Sequence, residues 1–498
     1  MKSVQNKAPL FTAVKNYVAA GIVPFHVPGH KQGRGLPAFR EYVGEATMAM
    51  DLTCLPYIDN LCNPSGVIKE AEALAAEAFG ADHAFFLVNG TTSGIQAMIL
   101  TVCQPGDKII VPRNAHKSVL GGLIISGACP VYVNPEVNHE FGISMGITPE
   151  AVEWALQQHP DARAVLVIHP NYYGTTSDLA GIVRVSHSFG VPVLVDEAHG
   201  GHFGFHPDLP PSAMEVGADM VASSTHKLLG SLTQSSMLLL REGLISPSRL
   251  KAVLNLTQTT SPSYLLLCSL DAARQQMATS GRELLDQVLA RAAWVRQELS
   301  CIPGINLLDT SVAGTAGCKE LDLTKIVVNV RNLGISGYQM ESILRQQYRL
   351  QVELADLYNV LNLITIGDTW DTVKLLVEAI KDIASLGFDQ KLVKLTPHLP
   401  RLPQVSVLPR EAFYGETVTV PLSEAAGETS GEIITAYPPG IPLICPGETI
   451  TQEIIDYICF LKKENADLQG LEDETFEQIK VLRHVEGIGH NLMVGEAG

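Results

Sequence analysis

Three polar signals each follow an apolar run that is typical of a buried strand. The first is the turn Asn89–Gly94 (NGTTSG), which comes after the run His83–Val88 and opens a helical stretch. The second is Asp196, the last residue of VPVLVD, and the third is Lys227, which follows the run Met220–Ala222. Together they offer an anion-binding turn, a buried acid and an amine nucleophile.

The NGTTSG turn has the composition of a phosphate site. Backbone N–H groups at the start of a helix bind anions, and Thr92 and Ser93 would add hydroxyl donors. The alternative is an ordinary capping turn, because serine and threonine are common residues at helix starts.

Asp196 needs a cationic partner, because a carboxylate at the end of a buried strand is costly without one. A protonated pyridine nitrogen would be such a partner. The three histidines His199, His202 and His206 follow closely, so a metal site is the alternative. Their spacing lacks the i, i+4 pair of a helical zinc motif and the glycines between them predict a loop, so we expect no metal.

Lys227 lies between an apolar strand and a Leu-Leu pair, although a solvated surface lysine is the alternative. Desolvation beside a cationic cofactor would lower its pKa and make it a nucleophile. Ser224 could supply a further phosphate donor. These residues predict pyridoxal 5′-phosphate (PLP), held by Lys227 as a Schiff base with Asp196 at the pyridine nitrogen.

The elements around these signals predict an α/β domain with a mostly parallel sheet, whose ligand lies at the carboxyl ends of the strands. Further apolar runs lie at Lys108–Val111, Pro130–Val133, Ala164–Ile168 and Val191–Val195. Later, long helices are expected at Leu265–Met277 and Arg282–Leu299. We expect an N-terminal arm over residues 1–60, a large PLP-binding domain over 61–265, a small α+β domain over 266–395 and a C-terminal α+β domain over 405–498.

Composition excludes several classes of partner. The 498 residues include 35 basic and 52 acidic side chains, a net charge of −17 that disfavours nucleic acid and anionic membranes. The 9 cysteines are scattered without a CxxC pair, which indicates reduced thiols. We find no apolar run long enough for a signal peptide or a membrane span, so we expect a cytoplasmic protein.

The order of these motifs resembles the bacterial ornithine/lysine/arginine decarboxylase family, in the short form without an N-terminal receiver-like domain. The motifs that carry this resemblance are FHVPGHKQG (25–33), NGTTSG (89–94), RNAHKS (113–118), DEAHGGHFGFH (196–206), SSTHKLLGSLTQSS (223–236), TTSPSYLLLCSLDAAR (259–274) and YPPGIPLICPGE (437–448). The resemblance implies the fold-type I PLP-dependent transferase fold, which is aspartate aminotransferase-like, and decarboxylation of a basic amino acid.

The resemblance also implies roles for single residues. Lys227 would carry PLP, and Asp196 would bind its ring nitrogen. His116 would stack on one face of the ring and Ala198 would pack against the other. His226 would lie near the cofactor and, like Lys227, is a candidate proton donor to the substrate Cα.

The resemblance implies an oligomer as well. Thr92, Ser93 and Ser224 would bind the phosphate, and Thr259 or Thr260 would reach the cofactor of the neighbouring subunit. We therefore expect a homodimer, or a higher homo-oligomer, with shared active sites.

The substrate is ranked by analogy with short-form relatives: arginine first, then lysine and ornithine. Glu448 is the preferred partner for the distal cation of the substrate. The alternatives are Asp51, Glu353 and Glu424. Cys54 and Cys62 stand where the family usually has an acidic residue and a histidine, which leaves the substrate open.

Two other functions compete with decarboxylation. An aminotransferase or aldolase of the same fold would share the lysine and the aspartate, but such relatives lack the YPPGIPLICPGE domain. An inactive regulator of polyamine synthesis is the other, and intact Lys227, Asp196 and His116 argue against it.

Overall fold

The computed structural model describes residues 2–388, 400–401, 403–436, 441–464 and 466–483. The N-terminal arm contains the helices α1 (Lys2–Gln5), α2 (Pro9–Ala19), α3 (Pro37–Val43) and α4 (Glu45–Met50). The start of α2 is held by the buried Asp271, which accepts the backbone N–H groups of Leu10 and Phe11 at 3.0 and 3.2 Å. This remote carboxylate satisfies donors that a helix start leaves free and fixes the arm to the body of the chain.

The large domain alternates helices and strands, as the apolar runs predict. Its elements are α5 (Val67–Phe79), β1 (His83–Leu87), α6 (Gly90–Val102), β2 (Lys108–Pro112), α7 (Lys117–Ser126), β3 (Cys129–Val133), β4 (Val137–Asn138), β5 (Ile143–Ser144), α8 (Pro149–Gln158), β6 (Ala164–Ile168), β7 (Thr175–Thr176), α9 (Leu179–Ser188), β8 (Val193–Asp196), β9 (Met220–Ser223), α10 (Thr225–Leu228), β10 (Ser236–Leu240) and α11 (Pro247–Thr257).

A 7-stranded sheet in the order β1-β10-β9-β8-β6-β2-β3 forms the centre of this domain. Only β10 runs against its neighbours β1 and β9, so the carboxyl ends of β1, β8 and β9 meet at one edge. The mixed α/β class is confirmed. The sequence prediction missed β10, whose serine-led segment SMLLL follows the Lys227 motif too closely to stand out as a separate element.

The segment predicted as the small domain begins within a single long helix. Its elements are α12 (Tyr264–Ser300), β11 (Asn306–Leu307), β12 (Glu320–Leu321), β13 (Lys325–Asn329), α13 (Gly337–Tyr348), β14 (Leu354–Ala355), β15 (Asn359–Leu363) and α14 (Trp370–Ser385). The two helices expected between residues 265 and 299 are one helix of 37 residues. Gly281 lies between them but does not interrupt the helix, since a glycine costs a helix only ~1 kcal/mol.

The small domain lies beside the large sheet through the pairing of β12 with β7 and the close approach of Lys325 to Gly174. Its 4-stranded antiparallel sheet has the order β11-β13-β15-β14. Strand β12 pairs with β7 of the large domain, which brings the start of β13 toward the end of β8. Gly174, at φ +95°, makes this approach possible, because a Cβ there would lie 3.0 Å from Cδ of Lys325.

The C-terminal domain contains α15 (Pro409–Tyr414), β16 (Thr417–Pro421), β17 (Ile434–Ala436), β18 (Ile441–Ile444), α16 (Gln452–Lys463), β19 (Leu468–Gln469) and β20 (Gln478–Leu482). Strand β16 pairs with β20, and β18, β17 and β19 form a second small sheet. Part of the YPPGIPLICPGE motif, residues 437–440, lies outside the described residues, as do residues 484–498 of this predicted domain. Among the described helices, none has the length and apolar character needed to cross a membrane.

Candidate active site

Lys227 lies in the short helix α10, directly after strand β9. Its Nζ is 2.8 Å from His199 Nε2 and 5.4 Å from the ring centroid of Tyr172. Burial lowers the pKa of this amine, and the charges of Asp196 and Glu353 oppose the change only in part. The residue therefore has the environment of a nucleophilic lysine.

Asp196 ends strand β8 and is paired in register with Ile168 of β6 and Ala222 of β9. Its side chain is buried, and its one described hydrogen bond is accepted from the backbone N–H of Ala198 at 3.1 Å. Burial raises the pKa of Asp196, while the charge of Lys227 and the Ala198 N–H lower it. A buried carboxylate with so few partners is stabilised by a cation placed against it.

The NGTTSG turn forms the start of helix α6, as predicted. Thr92 is exposed in the first turn, and the hydroxyl of Ser93 donates to the Gly90 carbonyl at 2.9 Å. The sequence prediction passed over Thr91, which is buried and whose hydroxyl contacts the Ser224 hydroxyl. This contact joins the start of α6 to the residue before α10, so the predicted phosphate donors lie on connected segments.

His116 and His226 have opposite tautomers. Nδ1 of His116 accepts the Ser118 N–H at 3.2 Å, so its Nε2 carries the proton in the neutral ring. Burial and the nearby Lys227 lower the pKa of His116 to about 4. His226 donates from Nδ1 to the Ser235 carbonyl at 2.8 Å, which leaves Nε2 as an acceptor, and burial lowers its pKa as well.

The sequence prediction missed two residues of this site. His199 is buried between the amines of Lys227 and Lys325, and Nζ of Lys325 lies 3.2 Å from His199 Nδ1. The DEAH spacing could have indicated His199, which was considered only as a metal ligand. Lys325 begins the apolar strand KIVVN, and nothing in the sequence separates it from a surface lysine.

The three histidines weighed as metal ligands contact different partners. His202 Nε2 lies 3.2 Å from Asp322 Oδ2, and His206 Nε2 lies 2.9 Å from Asp286 Oδ1. Within the described part of the chain, no three potential metal ligands come together. These contacts give His202 and His206 structural partners.

Glu448 is placed differently from the prediction. Its Oε2 accepts from Arg113 Nη2 at 2.8 Å and from the backbone N–H of Cys445 at 2.7 Å, and its side chain is 1% exposed. Arg113 also donates to the Pro442 carbonyl at 2.8 Å. The carboxylate of Glu448 is thus occupied by a guanidinium of the chain itself, and we no longer expect it to bind substrate.

Glu353 is the best placed of the alternative carboxylates. Its charge raises the pKa values of Lys227, Lys325 and His226 against the effect of burial, while its own side chain is exposed. Asp51 Oδ2 instead lies 3.0 Å from His30 Nε2. Glu424 is exposed on the C-terminal domain, with no described contact to this site.

Thr259 and Thr260 lie in an exposed loop between α11 and α12. The thiols of Cys62 and Cys54 contact the Thr259 and Thr260 carbonyls at 3.8 and 3.9 Å. The two unusual cysteines therefore lie against the segment that is expected to cross to another subunit.

The residues present fit PLP. Asp196 is a buried acid with no described ion pair, Lys227 is a desolvated amine, and the start of α6 offers free backbone donors beside an exposed hydroxyl. The hydroxyls of Ser223 and Thr225, on either side of Ser224, are buried without a hydrogen-bond partner. A sheet with an acid ending one strand and a lysine just after the next defines a fold-type I PLP-dependent enzyme.

Comparison with known families narrows this class. Residues 8–322 match the major domain of Orn/Lys/Arg decarboxylases, and residues 394–480 match their C-terminal domain. The chain belongs to the Orn/Lys/Arg decarboxylase family.

Curated relatives and solved structures agree with this placement. The chain is 46% identical to an arginine decarboxylase of Bacillus subtilis, covering 97% of this chain and 99% of that protein. It is 47% identical to an arginine decarboxylase of Halalkalibacterium halodurans, covering 98% and 100%. A lysine decarboxylase structure from Francisella novicida superposes with a TM-score of 0.84 at 23% identity, covering 95% of this chain and 81% of that one, and shares the fold.

Proposed function

We propose that this protein decarboxylates L-arginine to agmatine and carbon dioxide with PLP as cofactor. The observation that carries the proposal is the pairing of a buried, cation-deficient Asp196 with a desolvated Lys227 at one sheet edge. The arginine decarboxylases that are 46–47% identical over nearly the whole chain support arginine as the substrate.

Each residue of the site has a distinct task. Lys227 would carry the cofactor, Asp196 would keep a proton on its ring nitrogen, and His116 and Ala198 would hold the two ring faces. Thr92, Ser93 and Ser224 would bind the phosphate. The bound cofactor supplies an electron sink for the Cα–carboxylate bond.

The protonation states favour Lys227 as the group that returns a proton to Cα. His226 donates a hydrogen bond from Nδ1–H to the Ser235 carbonyl, and burial lowers its pKa, so Nε2 is an acceptor at neutral pH. Nζ of Lys227 would take up the proton that the substrate α-ammonium group gives up, and would then hold an ammonium proton that it can return. His226 would accept a hydrogen bond from the bound ligand.

Glu353 would bind the distal guanidinium of arginine. Its carboxylate is exposed and acts electrostatically on Lys227, Lys325 and His226, so negative charge lies near all three groups. A guanidinium forms a bidentate pair with a carboxylate, and an ammonium can form only a point contact. Lysine and ornithine are the alternative substrates.

The active unit would be a homodimer or a larger homo-oligomer with shared sites. Side chains on the arm are exposed although they are apolar: Phe25 is 95%, Tyr42 91% and Tyr57 75% exposed in the isolated chain. The loop with Thr259 and Thr260 is exposed as well. An apolar surface of this kind is typical of an interface. The 9 cysteines are all free thiols, which supports the cytoplasm as the compartment.

Product identification tests this function. The purified protein, supplied with PLP, is incubated in parallel with arginine, lysine and ornithine, and the amines are identified by mass spectrometry. We expect agmatine as the main product, and no amine from Lys227→Ala. Borohydride should reduce a covalent cofactor link that maps to Lys227. Cadaverine or putrescine as the main product, or a link at another lysine, would contradict the proposal.

A further inference from the structure

Lys227, His199 and Lys325 form a continuous polar chain, which we call the Lys–His–Lys chain. Nζ of Lys227 lies 2.8 Å from His199 Nε2, and Nζ of Lys325 lies 3.2 Å from His199 Nδ1. His199 is 3% exposed and Lys325 is fully buried. Both ring nitrogens of one buried histidine therefore face an amine.

Hydrogen-bond counting limits the charge of this chain. Burial and the adjacent lysines hold the pKa of His199 well below its ordinary value, so the imidazole is neutral. A neutral imidazole has one N–H donor and one acceptor nitrogen, while an ammonium group can only donate. If both contacts are hydrogen bonds, at least one lysine is a neutral amine, because the imidazole N–H needs an acceptor, so the two lysines can hold at most one extra proton between them.

The surroundings of Lys325 also favour a single positive charge on the two lysines. No described ion pair joins its Nζ to a carboxylate, and Asp322, the nearest acid in sequence, contacts His202 instead. Burial lowers the pKa of Lys325 to about 8, with Asp322 opposing the change and Lys227 adding to it. A second charge in this chain would be a buried cation beside another.

Other ionisable groups act on each member of the chain. Asp196 and Glu353 act on Lys227, Asp322 and Glu353 act on Lys325, and His116 and His202 act on His199. Acids therefore lie toward both ends of the chain, so that either lysine can hold a proton.

We propose that the Lys–His–Lys chain carries one proton for its two lysines, and that Lys325 exchanges this proton with Lys227 through His199. Lys227 Nζ gives a proton to His199 Nε2 while His199 Nδ1 gives its proton to Lys325 Nζ. No other bond changes, and the reverse transfer returns the proton. The proposal rests on the role of Lys227 as the cofactor lysine, and it makes Lys325 the positioning residue that lets Lys227 present a free amine.

The test measures the free-base fraction of Lys227 in the full-length chain after removal of the cofactor. Acetic anhydride labelling across a pH series, quantified by mass spectrometry, gives the midpoint for Lys227. Lys325→Met removes the proton acceptor and the adjacent cation, so we expect the midpoint to rise by about one pH unit, roughly a tenfold loss of reactivity at neutral pH. The rate at which added PLP forms its covalent link should fall in parallel.

Lys325→Arg should shift the midpoint in the opposite direction. A guanidinium remains charged and can only donate, so it would fix the proton on His199 Nε2 and hold Lys227 as a free amine. A purely structural role of Lys325 would give shifts in the same direction for both variants. Lys319→Met is the matched control, since Lys319 is half exposed and its Nζ lies 3.9 Å from Asp178.

Unchanged midpoints, or shifts in one direction for both variants, would overturn the proposal. If Lys325→Met does not fold, ¹⁵N NMR of His199 in the wild-type chain decides instead. Exchange between two tautomers supports the proton transfer, and one fixed tautomer from about pH 6 to 9 refutes it. Cofactor attachment at a lysine other than Lys227 would refute the proposed function separately.

Discussion

Two buried polar clusters of this molecule balance their charges in opposite ways. Arg113 and Glu448 meet at 2.8 Å with side chains that are 6% and 1% exposed, and backbone groups satisfy much of what remains. Burial alone would lower the pKa of Arg113, but the Glu448 carboxylate holds it above its ordinary value. At the sheet edge, Lys227 and Lys325 instead share one histidine, and no described ion pair reaches Asp196.

The comparison distinguishes a structural ion pair, Arg113–Glu448, from a group of ionisable residues that needs a ligand. In the matched pair each charge has its counter-charge, and the pair joins the RNAHKS segment of the large domain to the C-terminal domain. The unmatched acid and amines are stable only if other groups, such as a cofactor cation, complete them. Perturbed groups with incomplete partners are typical of functional sites.

Replacing Asp196 by Asn should have the largest effect on activity. The amide has nearly the same shape but no negative charge to hold a proton on the cofactor nitrogen. We expect kcat for arginine to fall about a thousandfold, which is ~4 kcal/mol at ~1.4 kcal/mol per tenfold. Steady-state kinetics at saturating PLP measures this change.

Glu197→Gln is the matched control. Glu197 is the next residue, and its Oε1 accepts the Ala213 N–H at 2.7 Å, a bond that a glutamine can keep. Burial raises the pKa of Glu197 to about 8, so its charge is already largely absent at neutral pH. Its kcat should stay within a few fold of wild type. Equal losses in both variants would show that Asp196 acts only through packing.

The sequence predicted the elements of the site better than the contacts inside it. Apolar runs identified the strands that end at Asp196 and precede Lys227, because a strand with both faces buried leaves a continuous signal. Strand β10 follows the Lys227 motif so closely that it was missed, and its antiparallel direction depends on pairing with β1 and β9. The hydrophobic pattern of a short segment does not show which distant strand it pairs with.

The ion pair of Glu448 with Arg113 was not predicted, for a related reason. The residues next to Glu448 indicated a turn, but they did not indicate which side chain would pair with its carboxylate. That side chain, Arg113, lies 335 positions away. Lys325 and His199 meet in the same way, across 126 positions. Which carboxylate is satisfied by the chain and which is left for a ligand depends on these tertiary contacts.

Glu448→Gln should destabilise the protein without a direct effect on substrate binding. The change leaves the buried Arg113 without a counter-charge, and breaking a buried pair costs about 3–5 kcal/mol of unfolding free energy. Chemical denaturation monitored by circular dichroism measures the loss. Glu416→Gln is the control, because its pair with Arg483 is exposed at 79% and 62% and should cost under about 1 kcal/mol. Unchanged stability with a raised KM would restore Glu448 as a substrate residue.

The smallest expected effect belongs to Glu353, whose exposed carboxylate forms no described hydrogen bond. Glu353→Gln removes an ion pair with the guanidinium that forms in both ground and transition states, so KM for arginine should rise about ten- to a hundredfold while kcat changes little. Cofactor affinity and stability should stay unchanged, because the described structure gives this side chain no hydrogen bond to lose. Glu424→Gln, the same change on an exposed acid of the C-terminal domain, is the control. If Glu353→Gln keeps the wild-type KM, the distal site must be sought at Asp51, which would first have to release His30.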